Sequence, residues 1–527
     1  MAATQLASSA ILTFTKLPST SSRTLLGFSS NAYSSCQVRC MVAATSNTDK
    51  AIVRRSANFQ TPIWDFNFIQ SLSSEYVGHS FTRQANKLKE DARLMLEEAL
   101  NPLDQLDLID TLQRLGIAYH FEEEISSITK NIYNDNHRDD TKMIKEDNLY
   151  ANALEFRLLR QHGYNVPQEV FNSFKDDQGN FKACLCNDIK GMLYLYEASY
   201  LLVEGESILE EARDFAAKHL KKHGMLNKDQ YLSILANHAL ELPLHWRMKR
   251  MEAKWFIDAY ERRLDFKPIL LDFAKLDYNM VQAKHQEDIK DASRWDINAI
   301  EPLPHFMKIT FFALYNTANE MAYKILKEQK INVVPSLKKM WGDLCRAYLQ
   351  EARWYHAGYK PTLKEYLGNA WMSISTPLVL GHAFFFITNP ITEEASKCIM
   401  EYPDIIRYSS LIFRLANDLG TSSDEIARGD VPKSIQCYMH ETGATEEEAR
   451  EHMGYLINET WKKINRERFA EYPFSQTFMD IPINLGRSAL FFYQYGDGYA
   501  IQDGETKDRL TSIFVQPIAL VGQSFGN

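Results

Sequence analysis

The stretch Asn152-Ala153-Leu154-Glu155-Phe156-Arg157-Leu158-Leu159-Arg160-Gln161-His162-Gly163, with Pro167 just beyond, decides the fold. Leu154, Phe156, Leu158 and Leu159 recur at the close intervals of a helix packed into a core. Gly163 stands where a helix stops, and Pro167 cannot continue one. The pattern recurs at 106–125, through Leu108, Ile109, Leu112, Leu115 and Ile117, and again at 192–202, 231–240 and 249–264. Beyond Phe266 it continues through 309–326, 337–355, 363–374, 408–419, 446–466 and 490–493. Strand-like alternation between tight turns is nearly absent, and no unit repeats at a fixed period. The spacing predicts an all-α protein of two helical domains that meet near 265–268.

Size and charge narrow the function. The chain has 527 residues, 59 basic against 68 acidic, for a net charge of −9. That length suits two domains, and the acidic balance argues against nucleic acid as a partner. The longest apolar run, 377–387, contains His382 and is too short to span a bilayer, so no membrane span is expected. The first fifty residues differ from the rest. No Asp or Glu occurs between Met1 and Thr48, 17 of those 48 residues are Ser or Thr, and Lys16, Arg23 and Arg39 supply scattered charge. This composition reads as an organelle transit peptide over 1–50. Two of the seven cysteines, Cys36 and Cys40, fall in that segment. The other five lack zinc-site spacing, so reduced thiols are expected.

The sharpest chemical feature is Asn417-Asp418-Leu419-Gly420-Thr421-Ser422-Ser423-Asp424-Glu425. On one continuous helix Asn417, Thr421 and Glu425 stand at i, i+4 and i+8 and line one face. An amide oxygen, a hydroxyl and a carboxylate make a hard-oxygen half-shell that suits Mg²⁺, with Mn²⁺ as the alternative. Arg414 one turn earlier and Lys433 beyond it place cations beside that shell, as a polyphosphate ligand requires. A second reading of the same residues stands beside this one. Gly420 can end one helix and Ser422-x-x-Glu425 can cap the next.

Motifs elsewhere in the chain resemble those of plant terpene synthases of the angiosperm monoterpene type. Arg54-Arg55 followed by eight residues and Trp64 matches the family's tandem-arginine motif. The segments 108–116, 154–163 and 273–279 look like its N-terminal domain and the start of its C-terminal one, and Asn417, Thr421 and Glu425 match its second metal motif. The resemblance implies a barrel-like helical domain over 51–265 and a metal-binding class I helical bundle over 266–527. It further implies Mg²⁺-dependent ionisation of geranyl diphosphate to a monoterpene olefin or alcohol, with Arg414 and Lys433 on the diphosphate. Arg54, Arg55 and Trp64 would assist substrate isomerisation or close the site. The loop 493–499 looks like the family's cover over the pocket mouth. Trp354, Trp371 and Phe384-Phe385-Phe386 can either line that pocket or fill the core.

One part of the family pattern is missing. No Asp-Asp pair occurs after Asp177, so the aspartate-rich DDxxD motif is absent. His285, which opens His285-Gln286-Glu287-Asp288, is followed after only eight residues by Arg294-Trp295-Asp296-Ile297-Asn298. Against the family, roughly seventy residues, about four helices with their loops, are gone near 291–296. With one of two metal grips lost, the expected activity is weak or nil. The alternative is a catalytically inactive splice isoform or non-catalytic scaffold.

Overall fold

The computed structural model describes residues 66–137, 148–223, 230–292, 305–428, 431–497 and 504–520. Arg54, Arg55 and Trp64, the transit segment and the junction 293–304 lie outside the described residues. The N-terminal half runs α1 (Phe66–Ser71), α2 (His79–Glu98), α3 (Pro102–Arg114), α4 (Glu122–His137), α5 (Leu149–Gln161), α6 (Ile189–Ser199), α7 (Ser207–His223), α8 (Gln230–Glu241) and α9 (Lys249–Tyr260). Then follow α10 (Pro268–Ala292), α11 (His305–Gln329), α12 (Val334–Ala357), α13 (Leu363–Ser373), α14 (Thr376–Ile387) and α15 (Glu393–Met400). The last are α16 (Asp404–Arg428), α17 (Ser434–Thr442), α18 (Glu446–Glu467), α19 (Gln476–Tyr493) and α20 (Gly504–Phe514). Among the described residues the only β pairing is an isolated bridge between Lys175 and Phe181. The all-α expectation holds.

Local chemistry sets the helix ends. Asn101 and Asn148 cap α3 and α5, their side chains accepting the N–H groups of Leu103 and Ala151. Gly163 takes a φ of +85° past α5, as its place in the sequence predicted. The 106–125 stretch is not one helix, however. Gly116, at φ +79°, breaks it after α3, and a 3₁₀ turn, Ala118–Phe121, leads into α4. A Cβ at Gly116 would stand 2.7 Å from the Cβ of Ala253, so α3 and α9 pack closely there.

Two apolar cores result. The first extends from Tyr76 to Tyr278 and takes in Ile518 near the C-terminus; the second extends from Met321 to Ala489. The first half of α10 thus belongs to the first core. Asn279 pins the returning tail there, donating to the Ile518 carbonyl at 2.8 Å and accepting its N–H at 2.8 Å. Across the junction of the cores, the buried Asn465 of α18 donates to the carbonyls of Tyr200 and Leu202 and meets His245 Nε2 at 2.7 Å. Arg487 of α19 donates to the His245 carbonyl at 2.7 Å.

Two features bear on the missing block. The stretch 363–387, covering α13 and α14, is long and apolar enough to cross a membrane by length and composition, which corrects the expectation that no segment would be. Its apolar window is 72% buried within the protein, and Ser375 at φ +68° interrupts it, so the apolarity serves the core. In contrast, α11 and α12 leave Tyr315, Tyr323, Leu326, Tyr348 and Leu349 exposed, as loss of covering helices predicts.

Candidate functional site

The site is built on α16, the central helix of the second core, which packs against α13, α14, α17, α18 and α19. Ile405, Ile406, Ile412, Phe413, Leu415 and Ala416 are buried along it. It runs unbroken through Gly420, so the reading of a helix end followed by a fresh cap is excluded. The Ser422 hydroxyl accepts from Arg450 of α18 at 2.6 Å, and Arg450 also holds the Leu419 carbonyl at 3.0 Å. Gly420 is needed for contact. A Cβ there would stand 2.8 Å from the Gly496 carbonyl and 3.0 Å from the Tyr493 Cβ. The tyrosine-rich loop is therefore seated on α16, and Tyr495 reaches Glu241 of the N-terminal half at 2.8 Å.

With the helix continuous, Asn417, Thr421 and Glu425 share one face. The Thr421 hydroxyl donates to the Asn417 carbonyl at 2.9 Å, leaving its lone pairs open, while Asn417 Oδ1 accepts from Arg414 at 3.0 Å. Glu425 Oε2 is buried with no hydrogen-bond partner. Burial raises the Glu425 pKa from its ordinary value, although Lys433 and Thr421 oppose the rise. An orphaned carboxylate oxygen beside an amide oxygen and a hydroxyl is the donor set a hard divalent cation requires. The residues fit one such ion.

Both predicted cations are held beside that face. Arg414 is buried and donates to Asp418 Oδ1 at 3.2 Å, the Ala370 carbonyl at 3.3 Å and the Ser373 hydroxyl at 3.3 Å. Lys433 precedes α17, and its Nζ lies 3.8 Å from Glu351 Oε2. Two further residues complete the cluster: Asp418, next to Asn417 in the same stretch, and Glu351, which no motif announced. Asp418 is fully buried, accepting the Tyr366 hydroxyl at 2.9 Å and the Ser434 N–H at 3.1 Å, which sets a carboxylate at the N-terminus of α17. Glu351, buried on α12, accepts from the Ser373 hydroxyl. By formal charge Glu351, Asp418 and Glu425 outnumber Arg414 and Lys433, so a bound dication would reverse the local sign and favour an anionic ligand.

The other candidates divide. Phe384 and Phe385 are fully buried in the second core and Phe386 is exposed, so this run is packing rather than pocket lining. Trp371 donates to the Gly368 carbonyl and carries Arg407 over its ring at 4.7 Å; Trp354 packs beside Tyr366. Cys184, Cys186, Cys345, Cys398 and Cys437 are free thiols. Among the described residues no group of three or more His, Cys, Asp or Glu side chains gathers to hold a second ion.

Comparison with known proteins agrees with this geometry. The chain matches the terpene synthase N-terminal domain over 63–240 and the terpene synthase metal binding domain over 284–463. It is 50% identical to a chloroplastic myrcene synthase of Quercus ilex, covering 99% of this chain and all of that one, and 52% identical to a (−)-alpha-terpineol synthase of Vitis vinifera, covering 90% and 92%. The Quercus alignment needs 596 positions to cover a 527-residue chain, so about seventy positions of that relative have no counterpart here. Among solved structures, a limonene synthase with 2-fluorolinalyl diphosphate superposes with a TM-score of 0.83 at 38% identity, over 88% of this chain and all of that one. An isoprene synthase of grey poplar, with three Mg²⁺ ions and dimethylallyl-S-thiolodiphosphate, gives 0.75 at 38% identity, over 86% and 99%. Two helical domains, both family models and relatives matched over nearly their whole length place the chain in the terpene synthase family, in its plant monoterpene type.

Proposed function

We propose that this chain is a plastid protein that binds Mg²⁺ and a prenyl diphosphate, geranyl diphosphate first among them, through α16, and performs the family's ionisation weakly or not at all. Asn417, Thr421 and Glu425 would hold one ion, while Arg414 and Lys433 meet the diphosphate oxygens. Bound there, Mg²⁺ neutralises charge that builds on the leaving diphosphate. Arg414 is oriented for that role by Asp418 and Ser373, and Lys433 by Glu351. The observation that carries the binding half is the orphaned Glu425 oxygen beside two cations. The impairment rests on the missing aspartate motif and the seventy unmatched positions. One dication with few protein ligands grips substrate loosely, and a pocket missing helices admits water to an allylic cation.

The same reading takes 1–50 as a transit peptide, supported by the chloroplastic relatives, and sets two domains over 51–265 and 266–527 with α10 bridging them. Arg54, Arg55 and Trp64 remain the proposed isomerisation or closure residues. The test is to incubate purified chain and a version carrying the missing block with geranyl diphosphate and Mg²⁺, reading products by mass spectrometry. Terpene from the restored form alone is expected; steady turnover by the shorter chain overturns the impairment. The missing block also favours a second reading, an inactive splice isoform or scaffold. An exon junction within the codons for 293–296 supports it, and uninterrupted codons there reject it.

A further inference from the structure

Where the end of α5, the segment entering α9 and the helices α18 and α19 meet, cations collect without matching carboxylates. Arg468, with 7% of its side chain exposed, donates to the Gln161 carbonyl at 2.6 Å and stands 3.8 Å from Asp480; its Nε has no partner. Arg487 is buried and bonded only to neutral groups, the His245 carbonyl at 2.7 Å, Asn484 Oδ1 at 2.6 Å and the His245 ring. Lys249, its side chain 58% exposed, reaches Asp480 at 3.0 Å. It is also the first residue of α9, whose preceding Met248 supplies no side-chain cap. Three cations thus surround one carboxylate.

Buried charge is costly unless paired, and a guanidinium ordinarily finds a carboxylate or phosphate. Burial and the neighbouring Arg468 push Arg487 down to about 9, and burial with the two arginines drives His245 well below its ordinary value and keeps it neutral. His162, at the end of α5, is likewise held down, first by burial and then by Arg468 and Lys249 against Asp480. Asp480 is the carboxylate that acts on Lys249, Arg468, Arg487 and His162, whereas the charges acting on His245 are Arg487, Arg468 and Arg157. We propose that this junction is a binding site for a small multivalent oxyanion of the phosphate class, taken between Arg468 Nε and Lys249 Nζ and separate from the α16 face. Inorganic phosphate and free diphosphate share the chemistry.

The test uses full-length protein in chelator, without Mg²⁺, at ionic strength held constant with chloride. Thermal melting and calorimetric titration with inorganic phosphate and with diphosphate are compared. We expect a saturable rise in Tm of about 2 °C or more, and binding weakened about tenfold in Lys249→Met and in Arg468→Met but retained in Lys433→Met. Stronger binding of diphosphate identifies that ligand, and equal or weaker binding identifies inorganic phosphate; either supports the site. No rise above the chloride control overturns it, as does a rise equal in parent and Lys249→Met, or one lost in Lys433→Met. Should Arg468→Met fail to fold, Lys249→Met alone decides, because that side chain is mostly exposed.

Discussion

Gly420 shows how one absent side chain can matter more than propensity. Alanine in a helix interior gains about 1 kcal/mol over glycine. Here its methyl would enter the 2.8 Å gap to the Gly496 carbonyl, backbone that cannot swing aside, and such overpacking costs about 1–3 kcal/mol. Gly420→Ala should therefore lower Tm rather than raise it, as scanning calorimetry would show. Glu197 gives a pH prediction at the same scale. Burial lifts its pKa to about 7, even though Arg114 opposes the rise and the Leu244 N–H bonds it at 2.8 Å. An unfolded glutamate titrates near 4.3. The stability this group contributes is thus full below about 4.3 and lost as pH climbs to about 7. Glu197→Gln should flatten that part of the profile in denaturant melts at pH 4–8, and an unchanged slope would contradict the assignment. The site was only half legible at this scale. Asn417, Thr421, Glu425, Arg414 and Lys433 were readable because they lie close in sequence at helical spacing. Glu351 is invisible in that way, since it is one glutamate among many on an ordinary helix and reaches Lys433 only through tertiary packing.

At the scale of elements, α16 is held by partners on every side, and its unbroken course settles what spacing left undecided. Both readings of residues 420–425 obeyed local rules. What decided between them was Arg450 occupying the Ser422 hydroxyl and the close seat of the 493–496 turn. The 106–125 stretch failed the opposite way. Its apolar period ran on through a glycine whose φ of +79° no periodicity reports. The union of α18 and α19 with the N-terminal half was also outside any local pattern, because Asn465 meets residues more than two hundred positions away. Leucine at position 465 would strand two carbonyls and a histidine nitrogen, at about 1–3 kcal/mol for each buried group left unpaired. Asn465→Leu should reduce stability by several kcal/mol in total, about 3 or more, in urea unfolding. A loss under about 1 kcal/mol would show that water replaces the bonds.

For the whole molecule, fold class and missing block were both plain in the sequence, since helical periods and motif order survive a deletion. The structural cost appears on α11 and α12, where Tyr315, Tyr323, Leu326, Tyr348 and Leu349 face solvent. Clustered apolar exposure of this kind binds hydrophobic dyes and promotes association. The chain should enhance dye fluorescence and elute in a concentration-dependent manner, and a form with the block restored should do neither. Metal supplies a further check. With Mg²⁺ and a non-hydrolysable diphosphate analogue, Tm should rise in the parent and much less in Glu425→Gln, because a carboxamide cannot neutralise the ion. Equal shifts would remove Glu425 from the ligand set.

The clasp formed by Asn465, His245 and Arg487 lies wholly outside the 293–304 connection. Hundreds of residues separate its two sides along the chain, yet it closes a covalent loop whose length it does not sense. Shortening or lengthening that loop changes the closure entropy of the clasp by well under 1 kcal/mol for each doubling, apart from what it uncovers on α11 and α12. The fold therefore carries its own insertion point, where a block of helices can enter or leave the architecture without unfastening the halves that frame it.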